Sequence, residues 1–236
     1  MAFFRRLTAQ WAENYRKMNI QMVISLSFTV VAAVGILIMG LSLFWRFSAA
    51  NRQTVAENSQ RILAQANLNL DSYLCRMMRI SDTVYYRIIK NTDLAQDSLT
   101  PSMDLLYEEN RDSLVSLAVF DNRGEPVSSV PLSTLKSGVA PSGEDWFLTA
   151  RQSMENLHFS TPHVQNLFDD PDRPYRWVVS LSRHVQLTRN GSTQGGVLLV
   201  DMTFAGIEQV CRDVALGNGG YLYLIDGDGE LIYHPR

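Results

Sequence analysis

The sequence predicts an α+β protein standing behind a membrane-spanning helix, and three observations carry that reading. Residues Ile20 to Trp45 contain no Asp, Glu, Lys or Arg. From Asn51 to Lys90 there is neither Pro nor Gly, and apolar residues recur at helical spacing. Beyond residue 100, short runs rich in Val, Leu, Ile and aromatics alternate with turn residues, the signature of short strands.

Residues 20–45 read as the membrane helix. A helix needs about 20 apolar residues to cross the hydrocarbon layer, and Trp45 suits the headgroup level at its outer end. The alternatives are a buried core helix, which usually carries charge on one face, and a cleaved signal peptide, whose apolar part is about 7–15 residues. Residues 1–19 read as a cytoplasmic tail. Arg5, Arg6, Arg16 and Lys17 precede the helix, while Arg46, Arg52 and Arg61 follow it, so flanking charge favours that orientation only slightly. Length argues more strongly, because residues 46–236 can form an exported domain and residues 1–19 cannot.

Residues 46–99 read as a long stalk helix. Val55, Ile62, Ala66, Leu70, Tyr73, Met77, Ile80, Val84 and Ile88 fall, after the first gap, in steps of three and four, one face of a helix. Such a helix would be about 55 Å long, with a break near Arg79–Asp82. Its apolar stripe must be covered by its own domain or by a second copy in a homodimer.

Residues 100–203 form the next unit. Thr100-Pro101 opens a short helix to about Arg111, with Pro at the first helical position. Ser113–Phe120 is a strand, Asp121-Asn122-Arg123-Gly124 a turn and Glu125–Val130 the returning strand. Gly143–Arg151 reads as a helix, and Leu157–Ser160, Tyr175–Arg183 and Gly195–Met202 as strands. The last of these is an unbroken apolar run that suggests burial on both faces. Residues 204–218 connect through a helix, Phe204–Val214, to a further strand pair at residues 219–236. There Leu224-Ile225-Asp226-Gly227-Asp228-Gly229-Glu230 parallels Val119-Phe120-Asp121-Asn122-Arg123-Gly124-Glu125 about 105 residues earlier. Two such hairpins suggest two copies of one domain type, the second incomplete.

Composition narrows the function. A formal net charge of −3 over 236 residues leaves no nucleic-acid footprint. Cys75 and Cys211 are too few for a disulfide framework or a zinc site; Cys75, beside Leu74 and Met77 in a helical pattern, reads as a small buried hydrophobe, with a single disulfide between the two as the alternative. His158, His163, His184 and His234 show no metal spacing, and no nucleophile motif is present, so we expect no catalytic site, no metal and no cofactor. Asp226–Glu230 lacks the ligand series of a calcium loop and reads as a turn. Asn190-Gly191-Ser192 fits the glycosylation acceptor pattern.

The order of elements, the paired Asp-x-x-Gly hairpins, and Asp145-Trp146-Phe147 followed by Phe159-Ser160-Thr161-Pro162-His163 resemble the extracytoplasmic double Cache sensor domain of bacterial receptors. The resemblance covers residues 46–236. It implies two PAS-like sheets, with a membrane-distal subdomain at 100–203 and a membrane-proximal one beginning at 219. The closing Gly220–Pro235 segment is similar to the Cache module of YesM-like sensor histidine kinases. The implied role is a ligand-sensing input module of such a kinase, with a chemoreceptor input domain or a membrane-tethered structural or adhesion protein as alternatives.

In amino-acid-binding Cache domains an Arg, a Trp, a Tyr and a later Asp hold the ligand. The matching places here are Glu144, Trp146, Phe147 and Asp201. Glu144 would repel the carboxylate that an Arg grips with two hydrogen bonds, which leaves a cationic, neutral or sugar-like ligand. Trp146 and Phe147 supply apolar walls or cation–π faces, and Asp201 could hold an amine or, alternatively, cap the helix at Phe204. Tyr175 and Trp177, on a facing strand, are expected to line the same pocket, and for each aromatic the alternative is core packing. The expected partners are thus a small extracellular ligand, the bilayer and a second copy of the chain.

Overall fold

A computed structural model describes residues 20–132, 134–152, 157–171, 175–212, 221–227 and 229–235. The tail at 1–19, the end of the helix expected to reach Val214 and the glycine-rich connection at 217–220 lie outside the described residues. The chain divides into two compact units, one ending at Gln60 and the other starting at Arg61. In the first unit, the helix that begins at Ile20 leaves its apolar side chains uncovered: Phe28 is 75% and Ile36 74% exposed. No core encloses this segment, which is long and apolar enough to cross a membrane.

The same helix, α1 (Ile20–Asp82), runs on into the second unit. Its repeat buries Ala66, Met77 and Ile80. Regular α-helix stops after Asp82, within the stretch expected to break, and continues as a π-helical turn (Thr83–Ile88) and a short 3₁₀ turn (Ile89–Asn91). Side chains satisfy the loosened carbonyls, as the Thr83 hydroxyl donates to Arg79 O at 2.8 Å and the Asn91 amide to Arg87 O at 2.9 Å.

Helix α2 (Thr100–Asn110) precedes β1 (Leu114–Asp121) and β2 (Pro126–Val130). Helix α3 (Asp145–Gln152) and the short strands β3 (His158–Phe159) and β4 (His163–Val164) follow. Two long strands, β5 (Trp177–Arg189) and β6 (Ser192–Thr203), lead to α4 (Ala205–Arg212). The sheet order is β2-β1-β6-β5-β3, with β4 also on β5, and every pairing is antiparallel. A second, two-stranded sheet joins β7 (Leu224–Ile225) to β8 (Leu231–Tyr233). The fold class is therefore α+β, as expected.

The central strand β6 is buried on both faces, and alternation sorts its side chains between two cores. Leu198, Val200 and Met202 pack with Met77, Ile80 and Val84 of the long helix and its π turn. Val197 and Leu199 face the opposite side, with Ala118, Phe120, Phe147 and Phe168. The two Asp-x-x-Gly hairpins share one turn. Asp121 N–H donates to Glu125 O and Asp226 N–H to Glu230 O, both at 2.9 Å. Each aspartate oxygen also accepts the N–H of its glutamate, at 2.9 and 2.8 Å. Gly124 and Gly229 take φ of 85° and 86°, a region only glycine enters freely.

The β5–β6 hairpin extends further than the sequence reading placed it, to a two-residue turn at Asn190-Gly191 with φ of 51° and 70°. That conformation is the type I′ turn that Asn-Gly favours. Asp93 locks the tip by accepting the N–H of Asn190 at 2.8 Å and of Gly191 at 2.9 Å. With that of Ala95, these bonds hold its carboxyl below the usual carboxylate range. Cys75 and Cys211 are both free thiols.

Candidate ligand pocket

The pocket grows from one row of the sheet. Asp201 on β6 pairs in register with Ser116 of β1 on one side and Ser180 of β5 on the other. Directly opposed residues project from the same face, so three polar side chains stand together where hydrophobic residues surround them. The Ser116 hydroxyl donates to Asp201 Oδ2 at 2.6 Å, and the Ser180 hydroxyl donates to Oδ1. Asp201 is only 2% exposed. Burial pushes its carboxyl above the usual carboxylate range, and the two serine hydroxyls and then His163 pull the other way. Asp201 does not cap the following helix; the Thr203 hydroxyl sits there, 3.4 Å from Ala205 N.

Around this row lies a cavity of about 170 Å³ lined by Val139, Glu144, Trp146, His163, Gln165, Asn166, Leu167, Ser180, Leu199 and Asp201. His163, on β4, turns Nδ1 toward the Thr161 carbonyl at 2.9 Å and Nε2 toward Ser180 Oγ at 3.4 Å. A carbonyl only accepts, so Nδ1 carries the proton in that bond. Gln165 spends its amide on the Phe168 backbone, donating to O at 3.1 Å and accepting from N at 2.9 Å. Trp146, on the first turn of α3, packs its ring 5.6 Å from that of Phe120, and its carbonyl accepts the Ser182 hydroxyl at 3.1 Å. Glu144 stands exposed at the rim, where its carbonyl accepts the first helical amides, those of Phe147 and Leu148.

The structure thus brings together Glu144, Trp146 and Asp201 and separates the other expected residues from them. Phe147 is fully buried among Phe120, Phe168 and Ala150. Successive helix residues point about 100° apart, so Trp146 and its neighbour cannot both face the cavity; Phe147 is a core residue. Tyr175 and Trp177 are 82% and 53% exposed and line a different, open cavity of about 940 Å³ with Phe204, Arg212 and Tyr233. Along β5 Ser180 lines this cavity and the Ser182 hydroxyl lies on the same face, on the Trp146 carbonyl, so alternation turns Trp177 to the other face. The sequence reading missed Ser116, Ser180 and Gln165, and passed over His163 as a ligand contact although it quoted that residue in a motif. The signal for Ser116 and Ser180 was strand register, which single-strand patterns do not reveal.

Polar contacts of two residues, Tyr73 and Arg183, tie these pocket strands to the long helix. The Tyr73 hydroxyl donates to Thr203 O, two residues past Asp201, at 2.7 Å. Arg183, three residues past Ser180, holds Asp82 at 2.7 Å and lies over the rings of Tyr85 and Tyr86, 4.8 and 5.6 Å from their centroids.

The Cache domain family model matches residues 47–236. The chain belongs to the Cache domain family. This Cache domain is similar in fold to solved ligand-binding domains of chemoreceptors. One is that of the Pseudomonas aeruginosa amino acid chemoreceptor PctC in complex with GABA, with 18% identity, a TM-score of 0.56 and 74% of each chain covered. Another is that of Pseudomonas fluorescens CtaA in complex with L-valine, with 17% identity, a TM-score of 0.52, and 71% of this chain and 68% of that one covered. A third is that of P. aeruginosa PctB in complex with L-Arg, with 18% identity, a TM-score of 0.55, and 75% and 64% covered. No curated protein sequence matches this Cache domain.

Proposed function

We propose that this Cache domain is the ligand-sensing input module of a membrane-bound signal-transduction receptor and has no catalytic role of its own. The observation that carries the reading is the cavity at Asp201, whose strands are tied within a few residues to the helix that also carries the apolar span. A small molecule contacting Asp201, Ser180 and Trp146 would bias β5 and β6, and through Tyr73 and Arg183 the helix. The apolar span anchors the chain with its N-terminus cytoplasmic and the sensor outside. Leu63 and Leu68, exposed on the helix, support a homodimer. The closing Gly220–Pro235 pattern favours a two-component sensor histidine kinase as the parent. The fold shared with chemoreceptor sensors favours a methyl-accepting receptor as the second reading. The intact gene product separates the two: phosphate transferred from ATP to a histidine supports the first, and methylation of glutamates the second.

The sensing reading is tested by thermal-shift screening of the full chain in lipid nanodiscs against amines, amino acids, carboxylates and sugars. A ligand at about a hundred times its Kd stabilises by about 2.7 kcal/mol, or roughly 5–10 °C for a domain of this size. Trp146→Ala should abolish the shift. If no class produces one, the sensing proposal fails.

A further inference from the structure

We infer that the cavity at Asp201 selects a small organic cation that carries no carboxylate, and that Glu144 enforces the choice. The inference rests on the cavity being the ligand site and adds the chemistry of its occupant.

The lining holds two carboxylates, Glu144 and Asp201, and neither Lys nor Arg. The Lys136 ammonium sits outside the lining, on the Gln165 carbonyl at 3.3 Å. Among the described residues neither Lys nor Arg pairs with Asp201. Its hydrogen-bond partners are the two serine hydroxyls. Hydroxyls orient a carboxylate but bring no charge, and the one basic side chain in the lining, His163, turns Nε2 to Ser180 Oγ at 3.4 Å and makes no hydrogen bond or ion pair with Asp201 among the described residues; a buried ion without a full counter-charge costs several kcal/mol. A ligand ammonium would supply that charge, because each carboxylate oxygen accepts more than one hydrogen bond. The walls agree. Trp146 offers an aromatic face to a cation, and Val139, Leu167 and Leu199 suit a short alkyl body. Among the described residues no group of three His, Cys, Asp or Glu side chains could hold a metal ion, which favours an organic cation over a metal ion. A ligand carboxylate would meet Glu144 at the rim, where like charges repel, and would find no guanidinium fork to bind it. At about 170 Å³ the space lies below the range of drug-sized sites, so the cation is small.

The test is calorimetric titration of the full chain in nanodiscs with n-butylamine, 1,4-diaminobutane, L-valine, butyrate and glucose. The amines should bind and the carboxylate-bearing probes should not. Asp201→Asn should weaken amine binding by at least about tenfold. Glu144→Arg, at an exposed position that tolerates the change, should weaken amines by a similar factor while bringing in L-valine. Binding of L-valine, butyrate or glucose to the unmodified chain as tightly as the amines, abolished by Trp146→Ala, would overturn the cation inference and leave the sensing role intact. Amine binding indifferent to both Asp201→Asn and Glu144→Arg would also overturn it. Silence of every probe, together with a negative thermal-shift screen, removes both readings.

Discussion

The tie between the long helix and the pocket strand can be broken at one atom. A Cβ added at Gly206 would lie 2.5 Å from Tyr73 Cε2 and 3.0 Å from Cδ2, whereas carbon atoms rest at about 3.5–4.0 Å. The ring must therefore move by about an ångström. It cannot do so freely, because its hydroxyl is fixed on Thr203 O at 2.7 Å and the phenol is buried enough for desolvation to push its pKa well above the ordinary value, against the pull of Arg76. Overpacking of this kind costs about 1–3 kcal/mol, and the better helix propensity of Ala in α4 returns up to about 1 kcal/mol. Gly206→Ala should thus destabilise by about 1–2 kcal/mol, a fall in Tm of roughly 2–8 °C. In a Tyr73→Ala background the clash is gone and only the propensity gain remains, so the same substitution should be neutral or raise Tm. The coupling between the two sites, about 1–3 kcal/mol, is read from a double-mutant cycle by differential scanning fluorimetry of the full chain in nanodiscs. Equal effects of Gly206→Ala in both backgrounds, or a rise in Tm in the unmodified one, would show that Tyr73 does not bridge the helix to the end of β6.

Four further outcomes are expected. The raised proton affinity of Asp201 stabilises the fold fully below the unfolded carboxyl pKa of about 3.9, and that stabilisation is lost as pH rises through the folded value. Asp201→Asn should therefore raise Tm near neutral pH by an amount that shrinks on acidification; a gap constant across a pH series refutes this. For the same reason cation binding should weaken as pH falls, by at most about tenfold per unit from Asp201; calorimetry at several pH values checks it. Asp93→Ala should speed hydrogen exchange at the Asn190 and Gly191 amides, and the clamp should loosen in the native protein as acid protonates Asp93 below the usual carboxylate range. Arg183→Met removes the Asp82 pair and the contacts with Tyr85 and Tyr86; it should leave ligand affinity unchanged but abolish ligand-induced exchange protection over residues 83–91.

What was legible in the sequence depended on how local its cause was. The apolar span, the long helix and the Asp-x-x-Gly hairpins follow from spacing and turn chemistry within a few residues, and the structure shows each of them. The break after Asp82 was legible for the same reason. The tip of the β5–β6 hairpin was equally local, since Asn190-Gly191 stands between Val185 and Leu187, alternating with polar residues, and Thr193. The run rich in β-branched and aromatic residues ends near Arg183, whereas the pairing continues to Arg189.

The site was less legible, because its decisive relations are not local. That Asp201 faces Trp146 rather than capping α4 depends on which face of β6 it occupies, and that in turn on Leu198, Val200 and Met202 being claimed by the helix side. Once those three are committed, Val197, Leu199 and Asp201 must share the other face, and the register then places Ser116 and Ser180 beside the carboxylate. The same reasoning, run along β5, sends Ser180 to the pocket, Ser182 to the Trp146 carbonyl on the same face and Arg183 to the helix, so one strand faces the cavity side with its even positions and grips Asp82 with the next odd one. The core that holds the helix and the candidate pocket are thus two faces of the same strands. On the sensing proposal, a ligand that shifts the pocket face should move the helix face with it, as long as the ties at Tyr73 and Arg183 hold.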